Sequence, residues 1–117
     1  MDPRVARVIG IMEERLQHRL TVPDLARAVD LSVAQLTRLF RVQTGVTPRV
    51  FLHQLRMMRA RALLERTTLP IAEIMAAVGI SDRTHFARDF KRTYGFTPRT
   101  LRVQLQVSPS RRATHSR

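Results

Sequence analysis

Residues 71–100 read I-A-E-I-M-A-A-V-G-I-S-D-R-T-H-F-A-R-D-F-K-R-T-Y-G-F-T-P-R-T. Ile71, Ile74, Met75 and Val78 recur at helical spacing and predict a helix with one apolar stripe. Gly79 ends it, because a helix C-terminus often needs a left-handed residue that glycine adopts cheaply. Ser81 and Asp82 offer oxygens to the free N–H groups of the next helix. Phe86, Phe90 and Tyr94 repeat every four residues, so that second helix buries an aromatic stripe. Its other face carries Arg83, Thr84, Ala87, Arg88 and Lys91. The stretch therefore predicts a helix-turn-helix whose second helix is apolar inside and cationic outside, a form that suits the major groove of DNA. Taken alone, it also fits an αα-hairpin with a solvated basic face.

A repeat weighs against that blander reading. L-A-R-A-V-D-L-S at 25–32 matches I-M-A-A-V-G-I-S at 74–81, at an offset of 49. After one extra residue, L-T-R-L-F-R-x-x-T-G-V-T-P-R matches F-A-R-D-F-K-x-x-Y-G-F-T-P-R at an offset of 50. Arg38/Arg88, Phe40/Phe90, Gly45/Gly95, Pro48/Pro98 and Arg49/Arg99 fall in step. Two copies of one supersecondary unit arise by accident far less easily than one.

The remaining segments read as helices around these two units. Asp2-Pro3 opens the first, with Val5, Val8, Ile9, Met12 and Leu16 on one face and an end near His18. Thr21 caps the next, with Asp24 as a capping-box-like partner and Leu25, Ala28 and Val29 inward. Ser32 caps a third, with Leu36, Leu39 and Phe40 inside and Gln35, Thr37, Arg38 and Arg41 outside, and Gly45 ends it. Thr47-Pro48 starts a helix to about Arg66, whose expected buried stripe is Val50, Phe51, Leu55, Met58, Ala62 and Leu63. Arg49, His53, Arg56, Arg59 and Arg61 lie around it. A helical connector with no glycine between Thr47 and Arg66 fixes the relation of the units, where a Gly/Ser linker would not. Thr97-Pro98 opens a last helix, with Leu101 and Leu105 inward. The expected organisation is a first helix-turn-helix subdomain at 1–46, a linker helix at 47–66, a second subdomain at 67–107 and a disordered basic tail at 108–117.

Composition narrows the function. The 117 residues carry 21 basic and 9 acidic side chains, a net charge of +12. Such an excess points to a polyanionic partner. No acid lies between Asp30 and Glu65, and none follows Asp89. A hydrophobic content of 44% supports a packed core. Without cysteine, a disulfide, a thiolate zinc site and a Cys nucleophile are excluded. No apolar run approaches the roughly 20 residues of a membrane span, and charges interrupt the N-terminus where a signal peptide would be apolar. A cytoplasmic, nucleoid-associated protein is expected.

With both repeats and the joining helix in view, the chain resembles the DNA-binding domain of AraC/XylS-type bacterial transcription regulators. The second repeat, A-A-V-G-I-S-D-x-x-x-F-x-R-x-F-K-x-x-x-G-x-T-P, is similar to that family's signature, and the match covers about residues 4 to 105. The resemblance implies an all-α fold of seven helices, with two recognition helices entering successive major grooves. Base-reading positions carried over from it fall on Ala34, Thr37 and Arg38 in the first repeat, and on Arg83, Thr84, Ala87 and Arg88 in the second. Arg49 and Arg99, which follow the capping prolines, are expected at phosphates beside free helix N–H groups. Ser32, Arg41, Ser81 and Lys91 complete that phosphate set. The expected partner is double-stranded DNA, bound by a monomer, with RNA polymerase as the further partner of such a regulator. Asp30 stands where the family usually has Gly, and Ala34 offers only a methyl, suited to a thymine methyl. Many relatives carry an effector or dimerisation domain, so the chain is either a short regulator or the C-terminal part of a longer one.

Two other classes compete. A non-specific architectural protein would use the charge without reading bases; arginines at equivalent repeat positions favour reading, since arginine bonds guanine O6 and N7 together. For an enzyme, His18, His53, His85 and His115 show no metal-ligand spacing. Ser81, Asp82 and His85 suggest a catalytic trio, but on one helical turn they are expected to splay apart, with the first two engaged as caps. Met57 and Met58 fit core packing better than a ligand pocket. No catalytic role, metal or cofactor is expected.

Overall fold

The computed structural model describes residues 1–105; the tail expected at 108–117 lies outside them. Six helices follow one another: α1 (Pro3–Glu14), α2 (Val22–Ala28), α3 (Val33–Thr44), α4 (Pro48–Arg66), α5 (Ile71–Ala77) and α6 (Arg83–Tyr94). A seventh, α7, occupies residues 98–105 of the described chain. No strand occurs among the described residues. The described residues are all-α with seven helices, as the family resemblance implies. It divides into two compact units, Met1–Arg56 and one that begins at Met57, with the boundary inside α4.

In the first unit, Asp2 caps α1 by accepting from the Arg4 N–H, and Val5, Val8 and Met12 are fully buried. The helix stops at Glu14, short of the expected His18, yet Leu16 in the following turn is still buried. Thr21 caps α2 through the Asp24 N–H. The Asp24 carboxylate reaches back to the Thr21 side chain and backbone, as the capping-box-like pairing expects, and also pairs with Arg27 one turn on. Leu25, Ala26 and Val29 face the core, whereas Ala28, expected inward, is exposed. Alanine's small side chain gives no clue to the phase of a seven-residue helix. Leu36 and Phe40 of α3 complete this core, and the Phe51 ring meets Phe40 edge-on at 5.2 Å.

The second unit repeats the plan. Ile74, Met75 and Val78 pack with Phe86 and Phe90, and Phe90 contacts Tyr94 and Phe96 at 4.7 and 6.2 Å between ring centroids. Phe40 and Phe90 are both fully buried, so the ring positions shared by the repeats are core. Leu101 of α7 is buried as well.

The stripe expected for α4 is out of phase. Leu52, Met57, Ala60 and Leu64 are the buried positions; Val50 and Met58 are exposed, and Phe51, Leu55, Ala62 and Leu63 are half-buried. The cause is the division of the helix. Its first half serves one core and its second half the other, so its apolar residues spread around the helix and no single period selects a face. Of the two methionines, Met57 is the core residue.

Candidate nucleic-acid interface

Both turns are built by the same hydrogen bonds. Leu31 N–H donates to Ala26 O at 3.0 Å, and Ile80 N–H donates to Met75 O at 2.9 Å. Asp30 N–H donates to Arg27 O and Gly79 N–H to Ala76 O, each at 3.2 Å. This closes a helix C-terminus with one left-handed residue. Gly79 takes that conformation at φ 75° and Asp30 takes it at φ 57°. The Asp30 departure is thus accommodated by an L-residue held in the glycine conformation.

The recognition helices then start differently. Ser32 and Gln35 form a complete capping box: Gln35 N–H donates to Ser32 Oγ at 3.1 Å, and Ser32 N–H to Gln35 Oε1 at 2.9 Å. In the second repeat Asp82, not Ser81, is the cap. Asp82 Oδ1 accepts from the His85 N–H at 3.0 Å, and its Oδ2 lies 2.6 Å from His85 Nδ1. These bonds, led by the one from the His85 backbone, hold the Asp82 carboxyl below its ordinary value. Asp82 and His85 therefore meet, where the sequence expectation had them splayed. Ser81 matches Ser32 at the offset of 49, but the extra residue that follows moves the cap of α6 on to Asp82 and leaves Ser81 before the helix.

Beyond these caps, one face of each helix is open. Ala34, Arg38 and Arg41 are exposed and Thr37 is half-buried on α3; Arg83, Thr84, Arg88 and Lys91 are exposed and Ala87 is half-buried on α6. The spacings of three and four residues gather each set on one side. Arg49 and Arg99 are exposed in the first turns of α4 and α7, where Thr47 Oγ1 accepts from Val50 N–H and Thr97 Oγ1 from Thr100 N–H. Arg83 and Arg99 line one concavity with Thr97, Pro98 and Ala87, so the structure brings an expected base reader and an expected phosphate holder together. Arg49 lies in the other unit's concavity with Thr21 and Pro48.

Other arginines are committed elsewhere. Arg56, placed on the linker surface by the sequence, is half-buried and donates to Leu16 O and His18 O at 3.3 and 3.0 Å. Burial lowers its pKa from the usual arginine value. Arg102 donates to Leu69 O at 2.7 Å. Each pins the segment just before a helix-turn-helix. Arg61 lies over the Tyr94 ring at 4.6 Å and pairs with Glu65 at 3.4 Å. Arg4, outside the repeat, sits in a groove beside Arg38, Leu31, Gln35, Leu39 and Val42. Local spacing carries no signal for that tertiary approach.

A family profile described as a helix-turn-helix domain matches residues 25–104. A transcriptional regulator with an AraC-type DNA-binding domain from Chromobacterium violaceum superposes with a TM-score of 0.80 at 34% identity, covering 88% of this chain and 92% of that one. The chain belongs to the AraC-type helix-turn-helix family. A second likeness is the DNA-binding domain of AdpA, a global transcriptional factor, solved in complex with a target DNA: TM-score 0.84, 26% identity, 90% of this chain and 95% of that one. Among full-length relatives, the transcriptional activator RclR of Escherichia coli K12 is 36% identical over 110 residues, 93% of this chain and 39% of RclR. The Msm operon regulatory protein of Streptococcus mutans is 35% identical over 102 residues, 87% of this chain and 37% of that protein. The AraC-type chain thus spans less than two-fifths of the length of these two relatives. No helix among its described residues is long and apolar enough to cross a membrane.

Proposed function

We propose that the chain is the DNA-binding part of a sequence-specific transcription regulator, which places α3 and α6 in successive major grooves and binds as a monomer. The observation that carries this reading is the repeated open face: two capped helices on matching turns, each with an exposed arginine, Arg38 or Arg88, at the same repeat position. Ala34, Thr37, Arg38, Arg83, Thr84, Ala87 and Arg88 form the base-reading set. Ser32, Arg41, Arg49, Ser81, Lys91 and Arg99 form the phosphate set. The DNA complex of AdpA, a protein of the same fold, supports the assignment of the ligand.

The test is selection of bound duplexes from a random pool, followed by titration against selected and scrambled DNA. A specific-to-non-specific ratio of about 10³ or more is expected. A ratio near one would establish the architectural reading instead. Arg88→Ala should lower affinity by about 1–3 kcal/mol and relax preference at one or two base pairs. An unchanged selected motif in that variant would remove Arg88 from the base-reading set.

A further inference from the structure

The two recognition helices share a backbone plan and the arginine pair Arg38/Arg88, but differ in polarity at four other positions. At an offset of 50, Val33 stands where α6 has Arg83, Ala34 where it has Thr84, Leu39 where it has Asp89 and Val42 where it has Arg92. Val33 is 43% exposed at the first position of α3, directly after the Ser32–Gln35 capping box that holds this turn. Ala34 is exposed beside it, and Thr37, one turn on, adds a γ-methyl. Single exposed apolar residues need no explanation. Here, however, three methyl-bearing side chains, the exposed Val33 and Ala34 and the half-buried Thr37, fall within the first turns of one side of the helix, which also carries Arg38 and Arg41.

We infer that the Val33–Ala34–Thr37 face of α3 reads thymine C5-methyl groups, so the half-site under α3 is defined by methyls flanking the base that Arg38 bonds, whereas α6 has the cationic Arg83 in place of Val33. This rests on the reading under Proposed function and names the chemistry of one of its two sites. The thymine methyl is the apolar group that base pairs offer in the major groove. The N-terminal residues of a recognition helix are those that meet base edges. Arg38 and Arg41 beside the patch favour a polyanion over an apolar protein surface as its occupant.

The experiment uses the whole chain and its selected duplex, with thymines replaced one at a time by deoxyuridine. The half-site under α3 is located as the half whose preference relaxes in Arg38→Ala. Removing a contacted methyl there should weaken binding about fourfold, the worth of one buried methyl-sized group. The response to replacements in the half relaxed by Arg88→Ala should be the same in the parent and in Val33→Ser. Val33→Ser, at an exposed position outside the core, should bring the thymine-to-uracil ratio in the first half towards one while selection in the second half persists. A first half without thymine, or one indifferent to uracil in the parent chain, overturns the inference and leaves the regulator reading standing. A pool that yields no motif at all overturns both.

Discussion

At the scale of single residues, the arginines separate by what holds them. Composition makes them alike, and the repeat separates out Arg38, Arg49, Arg88 and Arg99. Only the fold shows that Arg56 and Arg102 are struts to backbone carbonyls and that Arg61 lies over an aromatic ring. Asp82 is a second case of a role that sequence half reveals. It was readable as a cap, but its grip on the His85 ring depends on a side-chain rotamer. Because its bonds lower its pKa, the charged cap stabilises the folded state above the carboxyl's ordinary value of 3.8. That contribution is lost as pH falls through the lower folded value. Asp82→Ala should therefore lower the melting temperature at pH 7, and the gap to the parent should narrow as pH falls below about 3.8. Paired thermal melts at pH 7 and pH 3 measure it. A gap that stays constant over this range would mean the carboxylate charge contributes nothing at the cap.

At the scale of elements, the two matching turns offer an internal comparison. Asp30 holds φ 57° where Gly79 holds φ 75°, with the same hydrogen bonds around both. An L-residue there is strained, and an acid just after α2 faces the negative end of the helix. Asp30→Gly should raise stability by about 0.5 kcal/mol, the relief of strain exceeding glycine's greater freedom in the unfolded chain. Gly79→Ala should lower it by about 1–2 kcal/mol. Denaturant titration of both variants checks the pair, and an Asp30→Gly chain less stable than its parent would show that Asp30 is at ease in the turn. These turns were legible in the sequence because glycine, its replacement and the flanking apolar residues are local signals. The stripes of α3, α5 and α6 were legible too, since each faces one core with large side chains at a clean period. The α4 face was not, because a helix shared by two cores has no single period. Nor was Ala26 over Ala28, where neither residue is large enough to mark a side. The candidate site divides in the same way: exposure of the expected faces followed from periodicity, whereas the concavity shared by Arg83 and Arg99 needed α6 and α7 to be placed.

For the whole molecule, the net charge of +12 favours a polyanionic partner but does not show which charges act. If every arginine served only as part of a diffuse positive field, each replacement by alanine would alter the salt dependence alike. The sorting of arginines predicts otherwise. Binding that neutralises Z phosphates falls with salt at a logarithmic slope of about −0.9 per phosphate. The four cations of the proposed phosphate set, Arg41, Arg49, Lys91 and Arg99, then give a slope of about −3.6 or steeper. Arg99→Ala should flatten that slope by about 0.9 and weaken all sequences equally. Arg56→Ala removes the same charge, yet its guanidinium is half-buried and bonded to Leu16 O and His18 O. It should lower the melting temperature and leave the slope of the folded chain close to the parent's. Affinity measured from 50 to 200 mM salt, below the melting temperature of each variant, separates the two. Equal flattening in both would mean that diffuse charge governs binding and that the structural division of the arginines has no counterpart in DNA recognition.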